Sequence, residues 1–352
     1  MKFSVTKVDF VGRWRTWAKI SGAAMLVSIV ALVALGLNLS IDFVGGSSFV
    51  IDEVTTGASE QDLREAAEGA GATDVTAQLT GGEDGNPGAI IRMGALEPGS
   101  DELVTVRDAI VEAAGPVELT ENFVGPTWGE QVSRKAIEAL VVFLIVVVIY
   151  ITIRLELKMA GVAVVALVHD LVITVGIYAL LRFTVSPATI IALLTILGYS
   201  LYDTVVVFDR VKEVSEQVGE PGRRTMAQVT NVAMNDVLWR SINTSLTSLA
   251  PVGALLFLGG RLLGASTLED LALALFVGMA LGTYSSLFVA GPGFALWKMT
   301  EPEQIKLAER AVDLGEEEAV TGALPDAAVV EARAPITTEY VRGRGRKSRR
   351  RR

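Results

Sequence analysis

Pro187-Ala-Thr-Ile-Ile-Ala-Leu-Leu-Thr-Ile-Leu-Gly-Tyr-Ser-Leu-Tyr-Asp-Thr-Val-Val-Val-Phe208 carries one charged side chain, Asp203, in 22 positions. A helix of that length rises about 33 Å at 1.5 Å per residue, enough to cross a hydrocarbon core of about 30 Å. Five more stretches have that character: Ile20 to Leu37, Ala136 to Ile153, Met159 to Leu181, Ser241 to Gly260 and Leu271 to Trp297. The alternative, buried helices of a large soluble protein, does not account for six such runs. The expected fold class is an α-helical polytopic membrane protein with six transmembrane helices and one external α+β domain.

Composition agrees. Apolar residues make up 51%, charged residues 20%, and the mean hydropathy is +0.45. That is too apolar for an ordinary soluble domain and too polar for a chain wholly embedded in lipid. With no Cys there is no disulfide scaffold, thiolate metal site or Cys nucleophile. The single histidine, His169, rules out a His cluster for a catalytic metal. No cofactor, metal or enzymatic activity is expected.

Charge is sorted along the chain. Asn38 to Ser133 holds 18 acidic against 3 basic residues, whereas Val341 to Arg352 holds 8 basic and no acidic ones. Lys and Arg flank alternate ends of the spans: Lys2, Lys7, Arg13, Arg15 and Lys19, then Arg154 and Lys158, then Arg210, Lys212, Arg223 and Arg224, then Lys298 and the tail. The positive-inside rule puts both termini in the cytoplasm and the acidic segment outside. The first apolar run exceeds a signal-peptide core and lacks a clear Ala-x-Ala site, so it reads as an uncleaved helix. The expected organisation is a cytoplasmic N-terminus (1–19), helix 1 (20–37), external domain with hinges (38–135), helices 2–6 (136–299) and a mostly disordered tail (300–352). The Arg-rich end suits anionic lipid head groups, ribosomal RNA or a plain topology anchor. No specific nucleic-acid partner is expected.

Within 47–126 the pattern is β-α-β-β-α-β, the order of a ferredoxin-like unit. Strands are expected at Ser48–Ile51, near Val75–Leu79, at Ala89–Met93 and over Val117–Val124, with a turn from Thr80 to Gly88. Ser59 and Ser100 open the helices, which turn Leu63, Ala66 and Ala67, and Leu103, Val106 and Ile110, to one face. Gly45, Gly46, Gly125 and Pro126 stand where the domain joins the spans, as hinge candidates. Small residues, among them Gly198, Ser200, Gly278, Gly282, Ser285 and Ser286, allow close helix approach.

Three ionisable groups inside the spans need a reason, since each costs about 2.5–3.5 kcal/mol at the helix centre. Asp170 falls near the midplane, about 16 Å from the cytoplasmic end of its helix. Asp203 lies about 24 Å from the external end of its helix, in the cytoplasmic half. Arg240, at the cytoplasmic start of the fifth helix, is expected at a similar depth, where it could pair with Asp203. A buried carboxyl favours its proton and a nearby guanidinium favours its release, so movement of Arg240 would switch Asp203. The bland alternatives are a fixed salt bridge, snorkelling of Arg240, and a packing pair at His169–Asp170. Tyr199, Thr204, Asn243 and Thr244 could hold waters for a proton path or serve as helix–helix glue. Asp209 and Arg210 read as solvated ends of the fourth helix, followed by a long loop from Lys212 to Asn235.

Leu197-Gly-Tyr-Ser-Leu-Tyr-Asp-Thr-Val-Val-Val-Phe-Asp-Arg210 closely resembles the signature of SecF, in the SecD/SecF family of protein-export membrane proteins. Ile41-Asp-Phe-Val-Gly-Gly46, Val124-Gly-Pro126, Val168-His-Asp170, Arg240-Ser-Ile-Asn-Thr-Ser245 and Gly282-Thr-Tyr-Ser-Ser286 resemble it too, in order, over about residues 10–300. The Asp42-Phe43 form resembles SecF rather than SecD, where Leu usually follows that Asp. The resemblance implies half of a twelve-helix bundle of the RND superfamily, completed by SecD. It implies work with the SecYEG channel and SecA on preproteins at the bacterial cytoplasmic membrane, driven by the proton motive force. Asp203 and Arg240 match the family's membrane Asp and Arg of the proton path, and SecD supplies a further Asp. Beyond about residue 300 the resemblance stops.

Two other readings compete. An RND-type lipid or small-molecule exporter usually carries about twelve helices and two external domains in one chain, and co-purification with a SecD-like chain separates it. A passive scaffold of the channel predicts that neutralising Asp203 leaves export intact. An intramembrane aspartyl protease would need a Gly-x-Gly-Asp context, which is absent.

Overall fold

The computed structural model describes residues 8–80, 87–116, 119–217, 224–259 and 266–313. In chain order these form α1 (Trp14–Leu35), β1 (Asn38–Leu39), α2 (Ile41–Val44), β2 (Gly46–Ile51), α3 (Glu60–Gly69), β3 (Thr76–Thr80), β4 (Gly88–Met93), α4 (Asp101–Ala114) and β5 (Leu119–Val124). Then come α5 (Pro126–Arg154), α6 (Leu157–Leu181), β6 (Thr184–Val185), α7 (Pro187–Gln217), α8 (Met226–Ala254), α9 (Ser266–Ser285), α10 (Gly291–Lys298) and α11 (Pro302–Asp313). Two π-helical turns interrupt the later helices, Leu255–Gly259 after α8 and Ser286–Ala290 between α9 and α10.

Among the described residues, five helical stretches are long and apolar enough to cross a membrane: α1, α5, α6, α7 and the α9–α10 run. The expected span Ser241 to Gly260 forms the second half of α8 and its π turn, and its last residue lies outside the described residues. The chain is a multi-pass membrane protein.

Residues 46–124 form a separate layered unit. Its sheet has the order β3-β4-β2-β5, every neighbour antiparallel, with Phe49 opposite Ile91 and Glu121. Alternate positions along the strands turn Phe49, Ile51, Ala89, Ile91 and Met93 inward. They pack with Leu63 and Ala67 of α3 and Leu103, Val106 and Ile110 of α4 into one core. The expected helix starts are found. The Ser59 hydroxyl accepts from the Asp62 N–H while the Asp62 carboxylate accepts from the Ser59 N–H, a reciprocal cap. Ser100 caps α4 by accepting from the Leu103 N–H at 3.2 Å. Part of the expected 80–88 turn and residues 117–118 lie outside the described residues.

The two connections between this unit and the spans differ. Gly45 and Gly46 have φ of 78° and 146°, and a Cβ on Gly46 would meet the Met93 carbonyl, so the first connection needs glycine. Gly125 has ordinary extended dihedrals and caps α5, and Pro126 fills its first position, so the second connection is a helix start. Gly129 backs directly onto Phe43 and Gly45, and the Ser133 hydroxyl donates to the Phe43 carbonyl at 3.1 Å. Both connections are thereby tied to α5.

In the bundle, close packing is set at glycines: a Cβ on Gly278 or Gly282 would collide with Ile196 or Ser200 of α7. Gly198 faces open space and plays no such part. The apolar pattern ends the fourth span near Phe208, but α7 continues to Gln217. The expected loop from Lys212 to Asn235 is mostly helix, because α8 starts at Met226 under a Thr225–Gln228 cap. Arg210 is not a solvated end either: it donates to Asp236 of α8 at 2.6 Å and pairs with Glu213 at 2.7 Å. These contacts hold the two helices together beyond the apolar stretch, which hydropathy alone does not register.

Candidate functional site

The short gap between α7 and α9 lets small polar side chains meet, and two carboxylates lie there. Asp203, on α7, is 8% exposed. Its Oδ1 accepts from Ser241 Oγ of α8 at 2.9 Å, and its Oδ2 accepts from Ser286 Oγ, the first residue of the π turn. Asp170, on α6, is wholly buried. Its Oδ2 accepts from Ser200 Oγ of α7 at 2.5 Å and from Ser285 Oγ of α9 at 2.7 Å, and its Oδ1 lies 3.0 Å from His169 Nδ1. The adjacent residues Ser285 and Ser286 thus serve different carboxylates. Hydrogen bonds to a charged group contribute about 1.5–3 kcal/mol each, which offsets part of the burial cost.

The expected Asp203–Arg240 ion pair is absent among the described residues. Arg240 is exposed on α8, and the carboxylate is met instead by Ser241, the next residue, about 100° further round the helix. Arg240, Asn243, Thr244 and Thr247 recur at helical spacing and are all exposed. Thr244 Oγ1 donates to the Arg240 carbonyl at 2.9 Å, and Thr247 Oγ1 to the Asn243 carbonyl at 2.9 Å. The stripe lies beside exposed Trp239 and Leu246.

The other expected polar residues divide. Tyr199 donates to Ser245 Oγ at 3.3 Å, and Ser245 Oγ lies 2.6 Å from Thr283 Oγ1, so this chain of hydroxyls links α7, α8 and α9. Thr204 is buried. Asn243 and Thr244 lie on the exposed stripe, away from both carboxylates.

Two features escaped sequence reading. The segment before α1 binds the bundle: Asn235 Nδ2 donates to the Val8 carbonyl at 2.8 Å while its Oδ1 accepts from the Val8 N–H at 2.9 Å, and the Phe10 N–H donates to Asn231 Oδ1 at 2.9 Å. The Phe10 ring is fully buried, 5.4 Å from that of Phe288 in the second π turn. At the other end, Arg92 of β4 donates through Nη1 to Thr184 Oγ1 of β6 at 3.1 Å. Burial holds the Arg92 guanidinium below the ordinary arginine value, against the opposing effect of the Asp270 and Asp42 charges. This junction seats the 46–124 unit on the bundle. Residues far apart in sequence make both features, and no local pattern marks them.

Comparison with known proteins identifies relatives. The family described as "Protein export membrane protein SecD/SecF, C-terminal" matches residues 107–300, and the "SecD/SecF GG Motif" matches residues 30–52. Protein translocase subunit SecF of Streptomyces coelicolor is 40% identical, with 96% of this chain and 93% of that one covered. Its namesake in Mycobacterium tuberculosis H37Rv is 41% identical over 81% of this chain and 65% of its own length. The crystal structure of SecDF, a translocon-associated membrane protein from Thermus thermophilus, is similar with a TM-score of 0.73 at 32% identity, covering 85% of this chain and 40% of that one. The chain thus spans about two fifths of the SecDF structure it matches.

Proposed function

Because the chain belongs to the SecD/SecF family of protein-export membrane proteins and is an auxiliary subunit of a Sec translocase, we propose that it pairs with a SecD chain and couples proton flow to export. The observation that carries this reading is the buried Asp203 carboxylate, bonded to hydroxyls, one of them from Ser241, which stands one residue round α8 from the exposed Arg240. Serine hydroxyls can either donate to a carboxylate or accept from a carboxyl, so both proton states are tolerated. A turn of α8 that replaces Ser241 by Arg240 at the carboxylate favours the ionised form and expels a proton. Asp203 and Arg240 are then the relay residues of this chain, with Tyr199 beside them.

An arginine, an asparagine and two threonines in a row do not suit hydrocarbon. The exposed stripe on α8 suits a second bundle, and SecD packing there completes a twelve-helix assembly. The sixth span, 241–260, belongs to that arrangement. The 46–124 unit is read as a ferredoxin-like domain on the external side, pivoting at Gly45–Gly46, with both termini cytoplasmic. SecYEG, SecA and preproteins are the remaining partners. The test is export into sealed vesicles carrying this chain and its SecD partner, with and without a proton gradient. A gradient-dependent increment that needs both chains supports the reading, and an increment unchanged without this chain rejects it.

A further inference from the structure

Asp170 lies one helix from Asp203 in a setting that repeats it. Each carboxylate takes two serine hydroxyls, one of them from the Ser285–Ser286 step. Each hydroxyl of that step has a second acceptor in reach: Ser285 Oγ is 3.2 Å from the Gly282 carbonyl oxygen, and Ser286 Oγ is 3.0 Å from that of Thr283. A serine has one hydrogen and two lone pairs. Facing a carboxylate, the hydrogen points to it. Facing a protonated carboxyl, the serine oxygen accepts and its hydrogen turns to the carbonyl. Both states are fully bonded with no change of backbone.

His169 adds what Asp203 lacks. Its Nδ1 shares a hydrogen with Asp170 Oδ1, while its Nε2 is buried with no partner among the described residues. Buried polar atoms without partners are rare and call for an explanation. The tautomers supply one. With Asp170 ionised and His169 neutral, the imidazole hydrogen sits on Nδ1 and Nε2 is bare. One proton added along the bond between Asp170 Oδ1 and His169 Nδ1 gives either imidazolium–carboxylate or neutral imidazole–carboxylic acid, and in both forms Nε2 carries a hydrogen. A proton taken up on that bond therefore shows at Nε2, whereas one on Asp170 Oδ2, facing Ser200 and Ser285, leaves Nε2 bare.

We propose that His169 and Asp170 form a second proton-holding site of this chain, loaded at His169 Nε2 and coupled to Asp203 through the Ser285–Ser286 step. The coupling rests on the relay reading of Asp203, whereas the occupancy of the pair does not. Besides His169, the groups facing Asp170 are Ser200 and, one turn on, Asp203 of α7, and Ser285 and Tyr284 of α9, whose ring stacks 6.3 Å from His169. α1 has no charged residue beyond Lys19, and α5 none between Glu138 and Arg154. Ser286 opens a π turn, a feature frequent at functional sites. A shift of either serine moves its neighbour, so a change at one carboxylate reaches the other.

His169 is the one histidine of the chain, so ¹⁵N-labelled imidazole reports on it alone when the tag has no histidine and the SecD partner is unlabelled. The experiment is a pH titration of the full chain with its SecD partner in lipid bilayers, followed by ¹⁵N NMR of Nε2. The expected result is a switch of Nε2 from bare to protonated within the range where the protein stays folded. Asp203→Asn should move the midpoint by about one pH unit to lower pH, the scale of interacting sites, since a neighbouring negative charge is gone. Ser285→Ala should shrink that shift to the part the Asp203 charge exerts through space, and a shift of unchanged size in Ser285→Ala overturns the coupling through the serine step. A constant Nε2 signal in the unmutated chain overturns the second site and needs no variant to fold. A switch that Asp203→Asn leaves in place overturns the coupling. A switching Nε2 alongside normal gradient-driven export by Asp203→Asn removes the relay reading while the site itself stands.

Discussion

Arg92→Gln should loosen the 46–124 unit from the bundle. Arg92 is half-buried and donates to Thr184 Oγ1 at 3.1 Å, with the charges of Asp270 and Asp42 acting on it. A bond from a charged donor contributes about 1.5–3 kcal/mol, and partial exposure favours the lower figure. Each 1.4 kcal/mol is about tenfold, so the unseated population should rise roughly tenfold. A unit that is about 99% seated would fall to about 90%. The chain has no cysteine, so cysteines at exposed Val104 on α4 and exposed Val33 on α1 can carry spin labels without background. Pulsed distance measurement should give one narrow population for the unmutated junction and a second, longer one for Arg92→Gln. Arg92→Lys should fall between, since it keeps the charge and loses the planar fork. If Arg92→Gln reproduces the narrow population, the seat does not depend on Arg92.

Gly278→Val should destabilise the bundle by about 1–3 kcal/mol, because the new methyls have no room beside Ile196; size-exclusion after graded heating in detergent reads the loss as earlier aggregation. The Asp62 carboxyl is held below the usual carboxylate range by the Ser59 N–H and hydroxyl. Its support of the α3 start is therefore complete above about pH 4 and is lost as pH falls through the lowered folded-state value. Amide exchange at the first turn of α3 should quicken on acidification, and an equal response in Asp62→Asn would disprove the assignment. Deleting residues 341–352 should leave insertion and gradient-driven export unchanged, as the Arg-rich composition of that segment implies; loss of export with normal insertion would contradict it.

Much of this was legible in sequence for physical reasons that are local. Alternation and capping residues place α3 and α4 within a residue of their observed starts, because Ser59 and Ser100 satisfy N–H groups a few residues on. Hydropathy finds the apolar part of each span. It does not find where α7 ends or α8 begins, since Arg210–Asp236 and the Thr225 cap continue the helices in polar residues. Asp170 and Asp203 stand out as charges in apolar runs. Their partners do not, because serine is common in such helices and the choice of Ser241 over Arg240 depends on a rotation of about 100° that no spacing rule fixes. The π turn that sets Ser285 and Ser286 toward different carboxylates leaves no signature in composition.

The most direct measurement of the central claim is gradient-driven export by Asp203→Asn in sealed vesicles that also hold its SecD partner and the channel. Asparagine keeps the shape and the hydrogen bonds with Ser241 and Ser286 but cannot gain or lose a proton. The account predicts that the gradient-dependent increment disappears, while the rate without a gradient, membrane insertion and association with SecD are unchanged. An Asp203→Asn chain that still exports with the full gradient-dependent increment would contradict it.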